Sequence, residues 1–214
     1  MPGAYSSKRN FLFDLDGTLV DSTAAHARAF VDALTPGHPA LAGSFVYAPF
    51  AGCPTREVFL ALGLRDEPEL TDLVHRKQQN YRAALERGDI AVFAGTIALL
   101  ERLREKASRL FLVTGASRVS TQRVLALTAL AHFMEGITTA EDVPSGKPAP
   151  DPYLHTLARH GLEKQDCLAV EDGKSGIVAA QSAGIEAVLI HTDLEMPGVP
   201  NVRDCETFAA LLFP

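Results

Sequence analysis

The chain reads as an α/β protein: a parallel sheet covered by helices on both faces, with a helical unit inserted after the first strand. Three observations predict this. Four short runs are apolar at consecutive residues, as strands buried on both faces must be. Helical patterns separate these runs through the second half, and alternation of strand and helix builds a parallel sheet. Residues 22–93 break that alternation with helical patterns alone.

In chain order, Arg9-Asn10-Phe11-Leu12-Phe13-Asp14 is the first strand, an apolar run closed by a carboxylate. Helices are predicted over 24–34, 56–62 and 69–87, and no strand is expected between 22 and 93. The connection 36–54 is rich in Pro and Gly and reads as irregular. Ile97, Leu100 and Leu103 recur at helical spacing, which predicts a helix with those residues inward. Leu110-Phe111-Leu112-Val113-Thr114 is the second strand, and Ile137-Thr138-Thr139 a shorter one. Asp151-Pro152 opens a helix, as a capping carboxylate followed by proline in the first turn. Cys167-Leu168-Ala169-Val170-Glu171 is the third strong strand. Ser175 is placed to cap a helix through Ile177 and Ala180, with Gly184 as its stop. Ala187-Val188-Leu189-Ile190 is the fourth. The expected organisation is a core of residues 1–21 and 94–214 and a helical cap of residues 22–93.

Composition narrows the function. Of 214 residues, 47% are hydrophobic and 21% charged, the balance of a globular domain. Lys and Arg total 20 against 26 Asp and Glu, a net charge of −6. That acidity argues against nucleic-acid or anionic-membrane partners, which need cations facing phosphate. Cys53, Cys167 and Cys205 are widely spaced with no C-x-x-C, so reduced thiols in a cytoplasmic protein are expected. The longest mostly apolar run, residues 90–100, falls well short of the roughly 20 residues a membrane helix needs. A monomer is the favoured state.

In an open parallel sheet, ligands bind beyond the carboxyl ends of the strands. Three strands here end in reactive residues: Asp14-Leu15-Asp16-Gly17-Thr18, Thr114-Gly115-Ala116-Ser117 and Glu171-Asp172-Gly173. The turn Gly146-Lys147-Pro148 adds one ammonium. Asp14, Glu171 and Asp172 cannot share a poorly solvated cleft as bare anions, because like charges there are costly. A hard divalent cation removes that cost, and Mg²⁺ suits oxygen ligands and phosphate oxygens. With Lys147 and fixed donors beside it, such a site accepts a phosphoryl group. Asp14 and Asp16 then divide the work: one ionised as nucleophile, the other protonated as acid.

The stretch from Asp14 to Ser22 resembles the first signature of the haloacid dehalogenase superfamily of phosphohydrolases. Thr114, Lys147 in Gly-Lys-Pro-Ala-Pro-Asp-Pro-Tyr, and Glu171-Asp172-Gly173-Lys174-Ser175-Gly176 are similar to the second, third and fourth, in that order. The insertion resembles the helical cap of the phosphoglycolate phosphatase and β-phosphoglucomutase branch. The resemblance implies a Rossmann-like three-layer core and an aspartyl-phosphate on Asp14. It makes Asp16 the acid and then the base, with its backbone carbonyl on Mg²⁺. Asp14, Asp172 and Glu171, the last directly or through water, join the metal site. Thr114 and Gly115 would meet the phosphoryl oxygens, and Lys147 would neutralise Asp14 and the phosphoryl group. His26 stands where some members carry a cap-hinge histidine. Arg56, in Gly52-Cys53-Pro54-Thr55-Arg56-Glu57, lies in a stretch that resembles a substrate-facing cap loop.

The expected function is therefore a Mg²⁺-dependent phosphatase of a small phosphorylated metabolite, of sugar phosphate or phosphoglycolate type. The alternative is a β-phosphoglucomutase-like mutase. Against it, the mutase carries its arginine where this chain has Thr55, and a polar residue where this chain has Ala116. Other readings fail on spacing. A calcium loop opened by Asp14 needs a glutamate where Ala25 stands. The dinucleotide turn that Gly115 imitates lacks its later glycines, with Val119 and Thr121 in their place. Gly173-Lys174-Ser175 lacks the earlier glycine of a phosphate loop. Dehalogenation has no use for Asp16, since halide needs no proton. A receiver-like module, in which phosphorylated Asp14 is a signal, has no need of Asp16 or of a lid.

Overall fold

A computed structural model describes residues 3–213; Met1, Pro2 and Pro214, which the expected core boundaries include, lie outside the described residues. Six strands form one parallel sheet in the order β5-β4-β1-β6-β7-β8. They are β1 (Asn10–Phe13), β4 (Arg109–Val113), β5 (Gly136–Thr138), β6 (Cys167–Glu171), β7 (Glu186–Ile190) and β8 (Asn201–Val202). The centre of the sheet is in register, with Phe13 opposite both Leu112 and Val170. All of β1 and β6 is buried, as their unbroken apolar runs require.

Alternate strand residues feed two packed layers. Phe11, Phe13, Leu112 and Val170 pack against α5 (Thr96–Glu105), α6 (Arg118–Thr128) and α9 (Cys205–Leu212). Leu12, Val113 and Ala169 pack on the other face against α7 (Asp151–His160) and α8 (Lys174–Ser182). The result is the three-layer α/β fold the sequence predicts.

Between β2 (Val20–Asp21) and β3 (Ala91–Val92) lie α1 (Thr23–Leu34), α2 (Pro39–Ser44), α3 (Thr55–Ala61) and α4 (Glu67–Arg87). These helices bury their own cluster, centred on Phe30, Leu34, Val58, Phe59, Leu70 and Leu73. The long α4 also contributes Tyr81, Ala84 and Leu85 to the core layer beneath it. The insertion is thus tied to the core by its longest helix as well as by its two connections.

Four local expectations are corrected. A strand does occur within 22–93: β3 pairs antiparallel with β2, and two-residue strands leave no period to read. The connection 36–54 holds α2 and a 3₁₀ turn at Ala48–Phe50. On α5 the buried residues are Thr96, Leu99, Leu100 and Leu103, while Ile97 is 36% exposed. Asp151 and Ser175 cap nothing. Asp151 is the first residue of α7, behind Pro150, and Ser175 is the second residue of α8, behind Gly173. Ser175 Oγ is buried without a hydrogen-bond partner among the described residues.

Candidate active site

The carboxyl ends of β1, β4 and β6 are adjacent because those strands are neighbours in the sheet. Asp14 leaves β1 still tethered to β6, its N–H donating to the Val170 carbonyl at 3.0 Å. The chain then turns tightly: the Leu15 carbonyl accepts from the N–H groups of Leu19 and Val20 at 3.0 and 3.1 Å. Gly17 occupies the left-handed region at φ +83°, and a Cβ there would lie 2.0 Å from Asp172 Oδ2. Only glycine lets the first loop approach the Asp172 carboxylate. Gly176 does the same for Glu171: a Cβ on it would lie 2.0 Å from the Glu171 carboxylate. Asp14, Glu171 and Asp172 consequently offer carboxylate oxygens within 4.8 Å of one another.

Lys147 sits in their midst, 6% exposed. Its Nζ donates to Asp14 Oδ1 at 2.6 Å, Glu171 Oε1 at 2.6 Å and the Val113 carbonyl at 2.7 Å. Three acceptors match its three hydrogens. The Tyr153 hydroxyl also donates to Glu171 Oε1. On β4, Thr114 is 2% exposed and its Oγ1 accepts from the Ala116 N–H at 3.0 Å, which leaves its own hydrogen to donate. Gly115 follows, exposed, with nothing within 4 Å of where a Cβ would be.

The electrostatics show what the cluster lacks. Burial pushes Asp14 well above the usual carboxylate range; Lys147 opposes this, while Glu171 and Asp172 add to it. Burial and Glu171 push Asp172 up to about 7. Burial works against the Lys147 ammonium, but Asp14 and Glu171 outweigh it and raise its pKa. One lysine does not balance three carboxylates, so the donor set fits a hard divalent cation with oxygen ligands.

Asp16 faces the insertion. The Tyr81 hydroxyl donates to its Oδ1 at 2.9 Å, and His26 Nε2 lies 3.4 Å from the same oxygen. Burial would raise the Asp16 pKa, but His26, Ser22 and Tyr81 hold it below the ordinary value. Lys77 Nζ lies 2.8 Å from His26 Nδ1 and is 5% exposed. Burial lowers its pKa to about 8, with Asp16 opposing. The His26 ring stacks on Tyr81 at 4.0 Å and near Tyr47 at 5.6 Å. Burial is the main cause that raises the Tyr47 phenol pKa, and Asp16 and Asp172 add to it. The insertion reaches the core beside them: a Cβ on Gly173 would lie 3.5 Å from the Ala51 carbonyl oxygen.

The structure therefore brings Asp14, Lys147, Glu171 and Asp172 into one cluster, and Asp16 and His26 into a second arrangement under the insertion. Thr114 and Gly115 lie at the end of the adjacent strand. Arg56 is placed differently: its guanidinium pairs with Glu67 at an exposed position of the insertion. Sequence reasoning assigned no role to Tyr81, Lys77, Tyr47 or Tyr153. One signal was available: Lys77 and Tyr81 share the stripe of α4 that buries Leu70, Leu73 and Ala84, and a lysine on such a face calls for a reason.

Fold and site together define a three-layer α/β protein with clustered carboxylates and a lysine at the carboxyl edge of its sheet, and comparison with known proteins makes it a phosphoric monoester hydrolase. Residues 11–190 match the model of the haloacid dehalogenase-like hydrolases, and the chain belongs to that family. Hexitol phosphatase A of Escherichia coli is 32% identical over 197 residues, which are 91% of this chain and 88% of that protein. The plasmid phosphoglycolate phosphatase of Cupriavidus necator is 31% identical over 214 residues, 95% of this chain and 92% of that one. The crystal structure of CbbY from Rhodobacter sphaeroides in complex with phosphate has the same fold. Its TM-score is 0.77 over 95% of this chain and 96% of that chain, at 22% identity. No helix among the described residues is long and apolar enough to cross a membrane.

Proposed function

We propose that the protein is a Mg²⁺-dependent phosphatase that hydrolyses a small phosphorylated metabolite, of sugar phosphate or phosphoglycolate type, through an aspartyl-phosphate on Asp14. The carrying observation is the Lys147 ammonium held at 2.6 Å from both Asp14 and Glu171, beside Asp172. The activities named for the hexitol and phosphoglycolate phosphatases above support the substrate class.

Asp14, Asp172 and the Asp16 carbonyl would hold the Mg²⁺, with Glu171 directly or through water. The ion supplies positive charge to the carboxylates and the phosphoryl oxygens. Lys147, with the ion, would favour the ionised Asp14 that a nucleophile must be, against its burial. An Asp14 oxygen attacks phosphorus, and the bond from phosphorus to the substrate oxygen breaks. Asp16, which its hydrogen bonds hold ionised in the free protein, would take up a proton from solvent as substrate binds and pass it to the departing alkoxide. The Asp16 carboxylate then takes a proton from water, the water oxygen attacks phosphorus, and the bond to Asp14 breaks to release phosphate. Thr114 and Gly115 would donate to the equatorial oxygens, where charge develops. Residues 22–93 act as the cap, which excludes bulk water and presents substrate-selecting groups, Arg56 among them.

The phosphatase reading is favoured over a mutase by Thr55 and Ala116, which stand where the mutase carries arginine and a polar residue. The test is phosphate release from a panel of phosphorylated metabolites with Mg²⁺ and without a bisphosphate activator. Sustained turnover of sugar phosphates or phosphoglycolate is expected. Release that needs a bisphosphate and yields an isomerised monophosphate would establish the mutase.

A further inference from the structure

We propose that Asp142 is a positioning residue for the turn that receives the phosphoryl group: by binding Arg118 and Thr139 at once, it locks Thr114–Ser117 to the segment that carries Lys147. The inference rests on the role proposed above for Thr114 and Gly115 at the phosphoryl oxygens.

The two segments leave neighbouring strands, β4 and β5, and β5 is an edge strand of three residues. Where that ladder ends, the Thr114 N–H donates to the Thr138 carbonyl at 3.0 Å. The Ala140 N–H then donates to the Ala116 carbonyl at 3.1 Å, and the Ala116 N–H is bound to Thr114 Oγ1, so Ala116 is tied on both sides. Two adjacent acids hold the far end of the turn. Glu141 Oε2 accepts from the Arg118 N–H at 2.8 Å, and Asp142 Oδ1 accepts from the Arg118 guanidinium at 2.7 Å. Arg118 opens α6 directly after Ser117. The other Asp142 oxygen, Oδ2, accepts from both the N–H and the hydroxyl of Thr139 at 2.8 Å, which closes the 3₁₀ turn Ala140–Asp142 on the residue before it.

An exposed ion pair contributes little by itself. Asp142 is different: its side chain is 13% exposed and accepts three hydrogen bonds, so one carboxylate joins the start of α6 to the end of β5. Its anchor Thr139 is buried. Lys147 follows five residues after Asp142 and is bound to Asp14 and Glu171. Donors stabilise a phosphoryl group only if their spacing is set before the group arrives. Asp142 sets the spacing between the donors of the β4 turn and Lys147.

The test is Asp142→Ala, with Asp142→Asn, which keeps the shape and removes the charge, as the milder variant should alanine fail to fold. Phosphate release from p-nitrophenyl phosphate, its inhibition by inorganic phosphate and the Mg²⁺ concentration for half activity are measured below the melting temperature. Asp142→Ala should weaken phosphate inhibition and lower kcat/KM, each roughly 10- to 100-fold, the scale of misplaced binding groups, and leave the Mg²⁺ requirement unchanged. Asp142→Asn should move both in the same direction by less. Arg118→Ala should do likewise, and combined with Asp142→Ala it should cost less than the product of the single losses. A purely structural acid would lower the melting temperature and leave both constants as they are. That result, a raised Mg²⁺ requirement, or losses that multiply would each overturn the inference alone. A wild-type protein that cleaves no monoester would overturn the phosphatase reading itself, and this inference with it.

Discussion

Lys147 Nζ lies 2.6 Å from Asp14 Oδ1, at the carboxyl end of the central strand of the sheet. The same nitrogen binds Glu171 and the Val113 carbonyl, so one ammonium ties β1, β4 and β6 together at their catalytic edge. Lys147→Met would leave Asp14 and Glu171 buried without that cation. Removing one partner of a buried pair costs about 3–5 kcal/mol, and this pair has two carboxylates. In chelator the variant should therefore unfold at markedly lower urea than the wild type. Added Mg²⁺ should recover part of the stability and none of the activity. A variant as stable as the wild type in chelator would show that Lys147 carries no such balance.

In metal-free protein the contribution of Asp172 to stability should fall as pH rises from about 4 to about 7. The sign follows from Asp172, which burial and Glu171 push up to about 7. An unfolded carboxylate releases its proton near pH ~4, so between the two values the folded state binds more protons, and stability falls with pH. Asp14 is shifted in the same direction by its burial. Asp16 is shifted downward, so its contribution is complete above pH ~4 and is lost only in stronger acid. Saturating Mg²⁺ should reverse the decline, by ~2.7 kcal/mol at a hundredfold excess over its dissociation constant. Denaturant titrations at several pH values, with EDTA or with Mg²⁺, measure this. Asp172→Asn should flatten the metal-free slope, and an unaltered slope would contradict the assignment.

On the proposed mechanism, Asp16→Asn removes the acid and the base but leaves Asp14 with Lys147. With an activated aryl phosphate, the first transfer should proceed and the second should stall. Acid-quenched samples examined by mass spectrometry should then show phosphate retained on Asp14, against little in the wild type. Asp14→Asn should give neither phosphoenzyme nor turnover. Phosphate on any other residue would displace Asp14 as the nucleophile.

The core was legible because strands buried on both faces leave unbroken apolar runs, and Cys167–Glu171 is a strand over the same residues the pattern predicts. The acids were legible because each ends such a run. What escaped is what depends on two distant segments. The β2–β3 pair is too short to show a period and is set by the chain crossing between core and insertion. Tyr81 and Lys77 lie in a helix predicted from its pattern, but their meaning depends on His26, 55 and 51 positions away by number, and on Asp16. The pairing of Arg56 with Glu67 was likewise not legible, because it joins residues of two different helices.

Gly176 provides a test in which two effects have opposite signs. It lies inside α8 and is buried, and alanine in a helix interior is favoured over glycine by roughly 0.5–1 kcal/mol. If helix propensity decided the outcome, Gly176→Ala would stabilise the protein. The added Cβ, however, would stand 2.0 Å from both Glu171 Cδ and Oε2, a distance no real contact tolerates. Glu171 is itself 2% exposed and held by Lys147 and Tyr153, so it has little room to yield. The clash outweighs the helix term. Gly176→Ala should be destabilised by about 1–3 kcal/mol, the usual cost of overpacking a core. Its requirement for Mg²⁺ should rise, because Glu171 is displaced. Calorimetric melting and a Mg²⁺ titration of phosphate release measure the two effects. A variant that melts higher and keeps the wild-type Mg²⁺ dependence would mean that Glu171 does not need the space this glycine leaves.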